Sequence, residues 1–114
     1  MISESKIREI ALSFPEVNEA PHFEKTSFRA QKKIFASYST QDKRACLKLS
    51  EIDQSVFSTH QSGGVYPVPN KWGKQGWTFI ELKNIKKEML TDALTTAYCS
   101  VAPKRLTQKY SDEE

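Results

Sequence analysis

Apolar residues in this chain first fall at helical spacing, with Ile7, Ile10, Ala11 and Phe14 at i, i+3, i+4 and i+7. Ser3 stands where an N-cap belongs, and Pro15 ends the segment. From Thr26 the period shortens to two. Phe28 with Ala30, then Ile34, Ala36 and Tyr38, then Ala45, Leu47 and Leu49 predict three successive strands. Their connections, Gln31-Lys32-Lys33 and Ser39 to Lys43, are hairpin-short, so the strands should run antiparallel.

A second helix is expected from about Glu51 to His60, with Ile52, Val56 and Phe57 as its buried stripe and Gly63-Gly64 as its stop. Val65 to Pro69 looks extended, and its two prolines confine it to a sheet edge. Trp77 to Leu82 predicts another strand, with Trp77 read as core. A last helix over about Lys86–Ser100 should bury Met89, Leu90, Ala93, Leu94, Ala97 and Tyr98, and Pro103 closes it. This order, α-β(3)-α-β(2)-α, predicts an α+β fold: a two-layer arrangement with an antiparallel sheet covered by helices on one face. Residues 1–106 read as a single domain and residues 107–114 as a polar tail that frays.

Composition changes this picture only in part. The 114 residues carry a net charge of +3, unevenly spread. Residues 1–24 set Lys6 and Arg8 against Glu4, Glu9, Glu16, Glu19 and Glu24. Residues 25–48 set Lys25, Arg29, Lys32, Lys33, Lys43, Arg44 and Lys48 against Asp42 alone. Such a field favours an anionic partner, although turn lysines also keep sheet edges from pairing. No apolar run reaches membrane-spanning length, and Met1 to Lys6 lacks the features of a secretory signal, so a cytoplasmic protein without a membrane partner is expected. Cys46 and Cys99 are far apart and read as buried free thiols.

Catalytic chemistry finds little material. His22 and His60 have no acidic or thiol partners at ligand or triad spacing, and the glycines match no phosphate-cradling motif. No enzyme, metal or cofactor is indicated. Binding has more to work with. The stretch from Gly63 to Trp77 holds all 4 glycines and both tryptophans of the chain. Within it, Asn70, Lys71, Trp72, Lys74 and Gln75 interleave cations, amides and an indole. Cations hold phosphates, an exposed indole stacks on an unpaired base, and Gln75 suits adenine. Lys104 and Arg105 add charge past the last helix. The same loop also reads as scaffold, with Trp72 folded back over a sheet edge.

These residues also carry a resemblance. Phe14-Pro15-Glu16-Val17, Pro21-His22-Phe23, Ser27-Phe28-Arg29, Lys33-Ile34-Phe35-Ala36, Val65 to Trp77 and Ala102-Pro103-Lys104-Arg105-Leu106 together make the chain similar to the MmcQ/YjbR-like family of small bacterial proteins. The resemblance implies the two-layer fold above, sometimes described as double-wing, a DNA-binding role by analogy of fold, and no catalytic residues. Asn70-Lys71 stands further from Trp77 here than in the family pattern, separated by Trp72 to Gly76.

The leading expectation is thus a nucleic-acid-binding module of low specificity, for DNA rather than RNA. Its contact residues would be Arg29, Lys32, Lys33, Lys43, Arg44, Asn70, Lys71, Trp72, Lys74, Gln75, Lys104 and Arg105. A protein-interaction or chaperone-like adaptor with an open sheet face, as a homodimer or with another protein, is the alternative. A small-ligand site formed by His22, Tyr66 and Trp72 is the third reading.

Overall fold

The computed structural model describes residues 2–22, 25–60, 64–83 and 85–111. Six strands form one antiparallel sheet in the order β1-β2-β3-β4-β6-β5. They are β1 (Val17–His22), β2 (Lys25–Ala30), β3 (Lys33–Ser39), β4 (Arg44–Lys48), β5 (Val65–Pro67) and β6 (Trp77–Glu81). The helices are α1 (Glu4–Leu12), α2 (Glu51–His60), α3 (Lys71–Lys74), α4 (Lys87–Val101) and α5 (Lys104–Ser111). The α+β class and the antiparallel sheet with helices over one face are as the periodicity predicts.

The core lies between that face and the helices. Phe28, Ala36, Leu47 and Ile80 project from the strands toward Ile7, Leu90, Leu94 and Tyr98, and all eight are buried. At one end Phe14 stacks on Tyr98 with centroids 4.8 Å apart, and Phe35 meets the same ring edge-on at 5.6 Å. Phe35 reaches this cluster through a bulge: Phe28 pairs with Ala36, but Arg29 pairs with Ile34, leaving Phe35 as the extra residue. The Tyr98 hydroxyl, deep in this apolar setting, donates to the Pro15 carbonyl at 2.8 Å.

The predicted order α-β(3)-α-β(2)-α is corrected, since β1 precedes the three expected strands and α3 and α5 are additional helices. Three further expectations are corrected. Ile52 and Val56 of α2 are not a buried stripe; they are 77% and 47% exposed. α2 lies against the short edge strand β5, and the side it turns inward carries Gln54 and the partly buried Phe57. The Gln54 amide donates to the Gly73 and Trp77 carbonyls at 2.9 and 3.1 Å, which selects a polar residue there. The chain past Leu106 does not fray at once, because α5 runs to Ser111, buries Thr107 and sets Tyr110 edge-on to Phe14 at 5.8 Å. The segment from Asn70 to Gly76 is not an open loop, since it contains α3, capped by Asn70 Oδ1 accepting from the Trp72 amide at 2.8 Å. Gly63, expected to help stop α2, lies outside the described residues.

Candidate nucleic-acid interface

Alternation along the strands sends every second side chain to the face that no helix covers. On β4 these are Arg44, Cys46 and Lys48; on β6, Trp77, Phe79 and Glu81. Register extends the rows sideways, so Ser27, Ser37, Cys46, Phe79 and Tyr66 lie side by side across the sheet. Arg29 joins this face through its pairing with Ile34.

The β5–β6 connection folds back over one end of the open face and turns it into a groove of about 420 Å³. Ile34, Ser37, Cys46, Trp77 and Phe79 line it from the sheet; Val68 and Trp72 line it from the connection, and Lys25 also borders it. Two glycines permit the fold-back. A Cβ on Gly73 would sit 1.9 Å from the Val68 carbonyl oxygen. One on Gly76, where φ is +105°, would sit 1.8 Å from that of Leu49. The Lys48 ammonium secures the turn by donating to the Gln75 carbonyl at 2.6 Å. Trp72 is left 50% exposed, with the Lys71 ammonium 5.9 Å from its ring centre.

Charge on this face is one-sided. Lys25, Arg29, Arg44 and Lys48 project from its strands, with Glu81 as the carboxylate among the described strand positions. None of the four cations forms an ion pair among the described residues, and the Arg29 Nε is buried without a hydrogen-bond partner. Arg44 lies flat on Phe79, 3.9 Å from the ring centre, and donates to the Tyr66 hydroxyl at 3.4 Å. Tyr66 in turn donates to Glu81, a bond that, with burial, raises the phenol above its usual range. Burial likewise pushes the Cys46 thiol up to about 11 against the pull of Lys25 and Arg44, so it is neutral at ordinary pH.

A family model described as YjbR matches residues 12–100, which span β1 to α4 and therefore the whole groove. The chain belongs to the YjbR family. Its fold is similar to the crystal structure of Deinococcus radiodurans protein DR2400, a DUF419 domain, with a TM-score of 0.79 and 19% identity over 99% of this chain and 88% of that one. No curated protein matches the chain.

In this YjbR chain the fold brings only some of the sequence-predicted residues together. Arg29 and Arg44 share the open face, and Trp72 lines the groove at its end with the Lys71 ammonium near its ring; Asn70, Lys74 and Gln75 belong to the same short turn of helix and its caps but do not line the groove. Lys32 sits in the β2–β3 turn, where Gln31 and Lys32 adopt φ of 51° and 73°, and Lys33 pairs with helix-facing Ala30. Lys43, at φ 55°, lines a separate depression with Ile2 and Leu82 at the opposite end of the sheet. Lys104 and Arg105 belong to α5 in the helix layer, so they do not converge with the groove. Arg105 is moreover engaged by Glu16 at 2.9 and 3.2 Å, and with Gln31 it holds that carboxyl below its usual range. The Tyr66 ring flanks Phe79 beside the groove, whereas the side chain of His22 lies outside the described residues.

Lys25, Lys48, Trp77, Phe79 and the serine–cysteine row were not among the contact residues expected from the sequence. Trp77 in particular is half-buried on the open face rather than in the core. Among the described residues no cluster of His, Cys, Asp or Glu could hold a metal ion, and no helix is long and apolar enough to cross a membrane. Cys46 and Cys99 are half-buried free thiols.

Proposed function

We propose that the open sheet face is a platform of low sequence specificity for single-stranded nucleic acid. Bases would pack against Trp72 and Trp77, and the backbone would run past Lys25, Arg29, Lys71 and Lys74. The observation that carries this reading is an aromatic groove on a face whose strand cations form no ion pair among the described residues. Sequence-tolerant binding needs both parts, since every base offers a π-face and every linkage a charge. Exposed rings of this kind suit unpaired bases, whose faces a duplex keeps stacked, which narrows the DNA-binding role implied by the family resemblance.

Fluorescence anisotropy of labelled single- and double-stranded oligonucleotides at two salt concentrations tests this. The single strand should bind more tightly, and Trp72→Ala should cost about 1–3 kcal/mol of binding. Lys71→Ala combined with Lys74→Ala should lower the slope of log affinity against log salt by about 1.4, from two lost phosphate contacts. Equal binding of the two strand forms, or a Trp72→Ala variant that binds as well as the parent, would defeat the reading.

A further inference from the structure

We propose that Lys25 and Arg44 form a phosphate subsite at the head of the groove, so that its occupant is a nucleoside monophosphate unit with the base enclosed by the aromatic walls. This rests on the nucleic-acid reading above and assigns the chemistry of one position within it. A small depression of about 10 Å³, lined in part by Lys25, Ser37, Ser39, Arg44 and Cys46, lies beside the groove; it has room for a single water, so a phosphate would rest across its mouth. Lys25, Ser37, Cys46 and Phe79 line both spaces, so the depression adjoins the groove.

The two cations reach this depression by different routes. Lys25 opens β2 and is exposed, bringing a mobile ammonium. Arg44 opens β4 and is held in place: Phe79 supports its plane from below at 3.9 Å, and the Tyr66 hydroxyl accepts one of its N–H groups. A guanidinium has five N–H donors, so this anchoring leaves most of them for an incoming anion. Glu81, which faces Arg44 across the β4–β6 pair, accepts a hydrogen bond from the Tyr66 hydroxyl and forms no ion pair with Arg44. Between Lys25 and Arg44 lies the Cys46 thiol, which both charges act upon but which stays neutral at ordinary pH. Nothing anionic from the protein therefore fills the space between the two cations among the described residues. Asp42, in the adjoining turn, is engaged by the Ser39 hydroxyl at 3.2 Å.

Stereochemistry fits a nucleotide better than a bare anion. The groove wall is mostly carbon, and inorganic phosphate alone would leave it empty; a nucleoside alone would leave Lys25 and Arg44 without a partner. A unit that joins a flat ring to a phosphate by a short sugar linker uses both parts at once.

Both tryptophans of the chain line the groove, so their fluorescence reports its occupancy directly. The test titrates the protein with a nucleoside monophosphate, the matching nucleoside and inorganic phosphate, alongside oligonucleotide anisotropy on the same samples. The monophosphate should quench at a concentration about tenfold or more below that of the nucleoside. Lys25→Gln, a change at an exposed residue, should remove most of that advantage, weakening the monophosphate far more than the nucleoside. Arg44→Lys should retain part of it, since charge remains and the fork is lost. Equal affinity for nucleoside and monophosphate, or a Lys25→Gln variant that weakens both alike, would overturn the subsite.

Oligonucleotide binding that is sensitive to Trp72→Ala but indifferent to Lys25→Gln would also overturn the subsite, while keeping the platform. Lys25-dependent monophosphate binding without oligonucleotide binding would support the subsite and identify the free nucleotide as its source.

Discussion

Cys46 shows how strongly position sets chemistry in this protein. Its thiol lies on the groove floor, and burial outweighs two nearby cations to place its pKa at about 11. Only the thiolate is nucleophilic, so at neutral pH alkylation by iodoacetamide should run roughly a hundredfold slower than for a free thiol. The rate should climb with pH until about 11, as mass spectrometry of the peptide spanning Cys46 can follow. A fast neutral-pH reaction would mean that the groove is wetter than its walls suggest. None of this is visible in the sequence, where Cys46 alternates with Leu47 and gives no sign of which side it takes. Trp77 and Phe79 hide their orientation in the same way, because Thr78 and Ile80 between them also suit a strand interior. The choice of face depends on which set the helices cover, and that is decided by the whole sheet.

Among the elements, those that bury a regular stripe were legible and those that bury little were not. α1, β2, β3, β4, β6 and α4 each carry buried apolar residues at a recognisable period. β1 reads Val-Asn-Glu-Ala-Pro-His because it is an edge strand, with Glu19 turned to a bidentate pair with Arg8 instead of a core. α5 escaped notice because, among the described residues, its apolar contribution to the core is just Leu106 and Tyr110, one helical turn apart. α2 is the instructive failure. Its apolar period is real, but a three-residue β5 gives it little sheet to lie on, and hydrogen bonds from Gln54 fix the orientation instead. Ile52→Ser should therefore shift unfolding free energy by no more than about 0.5 kcal/mol. Leu47→Ala, at a fully buried position, should cost about 2–5 kcal/mol. Urea denaturation of the two variants compares them directly, and a large loss for Ile52→Ser would restore that residue to the interior.

Across the whole molecule the two sides treat charge differently. Ion pairs gather on the helix side, where Arg8 meets Glu19, Arg105 meets Glu16, and Lys6 meets Glu9. Cations of the open face form no ion pair among the described residues, which is why the candidate site was only half legible: the sequence shows how many lysines and arginines there are, not which are neutralised. Lys104→Ala combined with Arg105→Ala should thus change oligonucleotide affinity by less than about twofold, because such a distant pair acts only through a screened field. Lys25→Ala combined with Lys71→Ala should weaken it well beyond that, again by anisotropy. If the α5 variant proved the weaker binder, the contact surface would have to move to the helix side.

The sheet's two outermost strands each contain a proline, Pro21 on one flank and Pro67 on the other. Proline brings no amide hydrogen, so an extra ribbon laid along either flank would find its ladder missing a rung. Growth into fibrils by lateral addition is discouraged from both directions at once. A visitor of any kind is thereby steered toward the broad uncovered surface rather than the margins.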